Sequence, residues 1–197
     1  RYIYANLTGG QNVGELETEP GTAFAVDLSA YYESDFIEKN QWALGMNISN
    51  VGTKISYTAD DIRDFLPMNL KVGGRYTRNI DQYNSFSVSF DINKLLVPTP
   101  PVYAIDSLSG VPAEDENGNY IIEAGRDPNV SVISGLFQSF GDAPGGLSEE
   151  WRELMYSVGF EYWYQNQFAF RGGYFHEHAT KGNRKYFTLG AGLKMNV

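Results

Sequence analysis

Phe86-Ser87-Val88-Ser89-Phe90-Asp91-Ile92-Asn93 sets the fold class. Every second residue is aromatic or branched aliphatic, and those between carry a hydroxyl, a carboxylate or an amide. Successive side chains of a β-strand point to opposite faces, so this octapeptide makes a strand with one apolar and one polar side. The same alternation recurs at 1–7, 23–32, 42–49, 68–77, 156–164, 168–174 and 187–196, which gives eight strands in all. Phe24, Val26, Leu28, Ala30 and Tyr32 form one apolar row, and Met68, Leu70, Val72, Gly74 and Tyr76 another. In the last strand Phe187, Leu189, Ala191, Leu193 and Met195 oppose Thr188, Gly190, Gly192, Lys194 and Asn196. Rows this long and this free of charge need either lipid or a second sheet to cover them. Lipid gives an all-β fold, a transmembrane antiparallel outer-membrane β-barrel with a polar interior. A second sheet gives a secreted sandwich.

Composition removes several functions. A net charge of −9 and an isoelectric point near 4.7 argue against nucleic acid, whose phosphates need a basic footprint. Without cysteine there is no disulfide frame, zinc knuckle or thiol nucleophile. No apolar run approaches the roughly 18 residues of a membrane-crossing helix, and a barrel requires none, because only alternate residues meet lipid.

The connections favour the barrel. Short links at 33–40, 78–83 and 165–166 alternate with long ones at 50–67 and 94–154, and with an intermediate one at 177–184. Outer-membrane barrels have short periplasmic turns and longer extracellular loops. Tyr32, Trp42, Tyr76, Phe86, Tyr164 and Phe168 collect beside the short links, as an interfacial aromatic girdle does. Within the irregular 94–154 stretch, Asn117-Gly118 predicts a type I′ hairpin turn, and Ser148-Glu149-Glu150 ahead of Trp151 predicts the start of a short helix. The first residue is Arg1 and strand-like sequence runs to Val197, so the chain reads as cut from something longer.

Two blocks, 45–57 (Gly45 to Tyr57, around Asn50-Val51-Gly52) and 66–73 (Leu66 to Gly73), resemble the FadL-like outer-membrane barrel superfamily. Gly135-Leu136-Phe137-Gln138-Ser139-Phe140-Gly141-Asp142-Ala143-Pro144-Gly145-Gly146 resembles, more narrowly, the PorV (LptO) family of the type IX secretion system. So does the run from Glu161-Tyr162-Trp163-Tyr164 through His176-Glu177-His178 to Lys185-Tyr186-Phe187. On this reading the second half carries the specific likeness and the first half only that of the superfamily. The resemblance implies a barrel of about 14 strands when complete, with about eight in this chain. Eight strands alone could also close a small barrel. It further implies a single partial barrel domain over 1–197, integral to the outer membrane, with the 94–154 loop extracellular. The implied role is that of a shuttle and not an enzyme. Such a protein binds the C-terminal signal domain of secreted cargo at the translocon barrel and delivers it to the cell-surface attachment complex. Phe65, Phe137, Phe140 and Trp151 are the candidate contacts with those partners, or else they pack the loops onto the rim. A FadL-like transporter of hydrophobic small molecules is the alternative with the same architecture, and a soluble sandwich acting as an adhesin is a third.

Little else in the sequence points to chemistry. His176 and His178 would share a strand face but lack further ligands at a metal-binding spacing. Ser87, Ser89 and Ser157 belong to the polar row and His176 to the apolar one, and there is no Gly-x-Ser-x-Gly elbow. An EF-hand with Gly118 at its turn would put Ala113 and Ala124 at ligand positions, so a hairpin tip suffices. No catalytic residue, cofactor site or metal site is assigned. Asp27, Lys71, Arg75, Asp91, Glu161, Arg171 and Lys194 fall on the polar side, where they would pair with one another, meet a plug or line a conduit.

Overall fold

The structure, a computed structural model, describes residues 1–6, 18–58 and 63–195. The readings for Leu7, for the loop residues Asp60, Asp61 and Ile62 and for Asn196 lie outside the described residues. The strands are β1 Tyr2–Ala5, β2 Gly21–Glu33, β3 Asn40–Gly52, β4 Ile55–Ser56, β5 Arg63–Asp64, β6 Asn69–Asn79, β7 Ser85–Leu95, β8 Val102–Tyr103, β9 Ile122–Ala124, β10 Met155–Tyr164, β11 Phe168–His176 and β12 Lys185–Leu193. Two short helices, α1 Val132–Gln138 and α2 Leu147–Arg152, lie between β9 and β10.

All eight expected strands are present, and they form one sheet in the order β1-β2-β3-β6-β7-β10-β11-β12. Each strand lies beside the next long strand of the chain, so the sheet is a meander without crossovers. The pairs with a defined register, β1–β2, β7–β10, β10–β11 and β11–β12, are all antiparallel. Local turn chemistry drives this arrangement. The Asp81 carboxylate accepts from the Tyr83 and Asn84 amides and from the Asn84 side chain, which ties the β6–β7 turn and holds that carboxyl below its ordinary range. Gln165 and Asn166 both take φ of 53°, and Gln167 donates to Tyr164, as a two-residue type I′ turn between β10 and β11 requires.

The type I′ expectation for Asn117-Gly118 is corrected. Only Gly118 has positive φ, 80°, and Asp115 organises the tip by accepting from the amides of Asn117 and Asn119. A three-residue tip with glycine at its left-handed position results. Those amide bonds, that from Asn119 first, also hold the Asp115 carboxyl below its usual range.

The described chain divides into two compact units. The first comprises 1–27, 49–69 and 95–151. Its core is Ala23, Ala25, Ile55 and Leu66, with Ile3 and Tyr57 packed against them. Met68, expected to open an outward row, is instead fully buried. β6 begins one residue later, and the Met68 carbonyl accepts from Leu96.

The end of β3 explains the Asn50-Val51-Gly52 block. Asn50 adopts φ of 59°; its amide donates to Asp27 and its side chain donates to the Pro67 carbonyl. Gly52 lies against β2: a β-carbon there would sit 2.0 Å from the Phe24 carbonyl oxygen and 2.7 Å from Ala25 Cα. Gly73, in the second unit, has only the carboxylate of Asp91 at that range, 1.9 Å from where its β-carbon would be. Backbone cannot move aside and a flexible side chain can. Gly52→Ala is therefore expected to lower the unfolding temperature clearly and Gly73→Ala to change it little. Thermal denaturation of the detergent-solubilised proteins measures both.

The second unit comprises 28–48, 70–94 and 152–197 and holds most of the sheet. No described helix is long and apolar enough to cross a membrane.

Candidate functional site

Register in the second unit aligns the alternating rows into two continuous faces. Val88, Phe160, Gly172 and Leu189 stand side by side across β7, β10, β11 and β12. Phe90, Val158, Tyr174 and Phe187 form the next row, and Phe86, Tyr162, Phe170 and Ala191 the one beyond. These rows carry no charge and are largely uncovered, Gly172 beneath the Phe160 ring being the buried member: Phe187 is 81% and Leu189 91% exposed. The Phe160 ring lies over Gly172, where a β-carbon would come within 2.3 Å of it, and Tyr174 and Phe187 are in ring contact at 4.7 Å. At the turn end Trp42 packs on Tyr76 at 4.6 Å, and the Tyr76 hydroxyl bonds the Asn40 side chain at 2.6 Å. Apolar body inward and polar tip at the turn is the disposition expected of a girdle.

The opposite face is polar and internally paired. Glu161 accepts from Arg75 at 2.6 Å and from Arg171 at 2.5 Å, and Lys71 meets Asp91 at 3.4 Å. Ser87 is buried between Arg75 and Thr77. In the first unit Asp27 pairs with Arg1 at 2.8 Å. Five of the seven charges assigned to the polar side thus pair with one another, and Asp27 pairs instead with Arg1. Arg75, Asp91, Glu161 and Arg171 line a concavity of about 390 Å³ with Phe175 and Tyr186 stacked at its edge, 5.0 Å apart. Guanidinium and carboxylate neutralise each other there, which suits a structural lining better than acid–base catalysis. His176 stands in the row of Tyr156 and Lys185 on the apolar side, away from the buried Ser87 hydroxyl. No cluster of three metal-ligating side chains occurs among the described residues.

Sequence reasoning missed two ion clusters at the ends of the strands. Glu153 accepts from Lys94 at 2.7 Å and Lys181 at 3.0 Å, with the Lys94 side chain 5% exposed. Glu177 is buried and held by both Arg184 Nε and Nη2 at 2.8 Å, and by the Arg184 amide. That fork pins the 177–184 loop. The Arg184 side chain lowers the Glu177 pKa, and Glu177 in return raises that of Arg184. A depressed carboxyl pKa adds stability that is complete above the unfolded value and is lost as pH falls through the folded value. Acidification below the ordinary carboxylate range is thus expected to release the loop and lower the protection of the Arg184 amide, measured against the intrinsic exchange rate at the same pH. Glu177→Gln should show low protection at neutral pH and little further acid effect. Hydrogen–deuterium exchange across 177–184 tests it, and a wild-type loop equally protected in acid would contradict it.

The candidate partner contacts all belong to the first unit but fall into two kinds. Phe65 is half-buried: its ring comes within 2.7 Å of a β-carbon placed on Gly135 of α1, and Lys54 lies over it at 4.3 Å. Its ring packs on α1. Phe137, Phe140 and Trp151 are exposed. Helix α1 was not foreseen; Ser131 caps it by accepting from the Ser134 amide. Helix α2 has the expected acids Glu149 and Glu150 in its first turn but begins at Leu147, so Ser148 lies inside it and donates to the Gly145 carbonyl. Gln138 donates to the Asp127 carbonyl, Asp142 accepts from the Thr99 amide, and Glu150 accepts from Ala143. Gln138 thus ties α1 to the segment after β9, Asp142 ties the inter-helix loop to the segment before β8, and Glu150 ties α2 to that loop.

A family model described as "Type IX secretion system protein PorV" matches residues 1–102, just over half of the chain. The chain belongs to the PorV family. The matched span contains β1 to β7, with the Asn50–Gly52 junction and the uncovered row of β2. The sequence reading placed the narrower likeness in the second half, whereas the match falls on the first; the Gly135–Gly146 and Glu161–Phe187 blocks lie beyond it. No curated protein matches the chain. PorV is a type IX secretion component, so membership ties the protein to that machinery and to the cell envelope.

Proposed function

We propose that this protein is an integral outer-membrane carrier of the type IX secretion system. Its sheet closes with further strands into one lipid-facing barrel domain spanning 1–197, with the 94–154 loop extracellular. It binds the C-terminal signal domain of secreted cargo at the translocon barrel and hands it to the attachment complex at the cell surface, and it performs no catalysis. The observation that supports this reading best is the uncovered apolar face with paired charges behind it. Burying such a face in lipid is favourable at about 25 cal/mol per Å² of apolar surface, whereas leaving it in water is not.

Purifying the full-length protein from its native outer membrane in mild detergent, and identifying what accompanies it, tests the proposal. The expected companions are a very large translocon barrel and secreted proteins that share one C-terminal domain. Recovery of the protein alone with fatty ligands would favour the FadL-like transporter of hydrophobic molecules. Migration in detergent gels that does not change on boiling would favour a sandwich, because a closed barrel resists unfolding until heated.

A further inference from the structure

The two helices of the long loop each leave an apolar face uncovered. Ile133 and Phe137 stand one turn apart on α1, and Leu147 and Trp151 one turn apart on α2; all four are more than half exposed, and Phe140 lies between the helices in sequence. Helix α1 is tied to the hairpin base by Gln138, and α2 is tied to the inter-helix loop, which Asp142 joins to Thr99, so both helices are held within the first unit.

Charge decides what can cover it. Residues 95–151 hold nine acids and a single base, Arg126, so −8 of the chain's −9 falls on this segment. Asp106, Glu114, Asp115, Glu116, Glu123 and Asp127 are all exposed. A second copy would bring the same charge against its like, and a phosphate-bearing lipid surface would be repelled in the same way. A basic protein surface would be attracted, with apolar pockets to accept the aromatic rings. Resting on the carrier reading above, we infer that the α1–α2 face docks a cationic, apolar-pocketed protein surface, and that this surface belongs to the cargo signal domain. Phe137 and Trp151 anchor it, and the hairpin acids steer it in.

The test uses the full-length protein in lipid nanodiscs and a purified cargo C-terminal signal domain, with association and dissociation followed separately. Phe137→Ser/Trp151→Ser is expected to speed dissociation at least about tenfold, because truncated anchors act mainly on the off-rate. Glu114→Gln/Glu116→Gln/Glu123→Gln keeps the side-chain shapes and leaves the Asp115 turn intact. It is expected to slow association about tenfold at low salt and to flatten its salt dependence. Each variant must keep the heat-modifiable migration of the parent. Variants that bind like the parent, or association that quickens as salt rises, would overturn the docking assignment while leaving the carrier reading in place. A parent protein that does not bind the signal domain would overturn both.

Discussion

Phe160→Arg is expected to abolish assembly into the outer membrane, or to leave a barrel that unfolds far below the temperature of the parent. Phe160 lies in the middle of β10, in the row with Val88, Gly172 and Leu189, on the uncovered face. An arginine facing lipid near the bilayer midplane costs about 2–4 kcal/mol, and the lost ring contact over Gly172 adds to it. Ser89→Ala, on the other face of the neighbouring strand, removes one hydroxyl from a wet surface and should be close to silent. Trp42→Arg, near the turn end, should fall between them, because the cost of a charge declines toward the interface. Heat-modifiable migration in membrane fractions ranks the three. Equal effects of Phe160→Arg and Ser89→Ala would show that the faces are assigned wrongly.

Glu153→Gln should produce the second large loss. Its carboxylate is the shared acceptor of Lys94 and Lys181, and all three side chains are mostly withdrawn from water. An amide keeps the shape but removes the negative charge that both ammonium groups share. Breaking a buried pair from one side costs about 3–5 kcal/mol. Lys181→Met leaves the Lys94–Glu153 contact in place and should cost much less. Unfolding followed by loss of the fast-migrating folded form gives the comparison, and a Glu153→Gln protein as stable as the parent would show the cluster to be solvated.

The eight strands were legible because alternation is local: the Val88 and Leu189 rows need no knowledge of the partner strand to be read. The shared face of the aromatics in each row and the pairing of most polar-side charges followed from the same periodicity. Other features depend on contacts that sequence spacing does not encode. Glu153 and Lys94 lie 59 residues apart, yet Lys94 carried a signal, since it is the one charge that continues the Phe86–Ile92 apolar row. Helix α1 went unseen because the element is only seven residues long, too short for a helical period to stand out within the irregular 94–154 stretch. Phe65 carried two readings, a partner contact or loop packing, and the space that Gly135 leaves for its ring is not visible in sequence spacing. The Asn117-Gly118 turn went astray because Asp115, two residues before the pair, captures the amides that a type I′ turn would orient otherwise.

Cysteine scanning of Phe86 to Asp91 in native outer membranes tests the facing assignment most directly, and these 197 residues contain no cysteine to interfere. A bimane label at each site is challenged with lipid-borne and aqueous quenchers. The account predicts strict alternation, with 86, 88 and 90 quenched from the lipid and 87, 89 and 91 from water. Equal aqueous quenching at all six positions, or protection of 86, 88 and 90 from both quenchers as in a sandwich core, would contradict it.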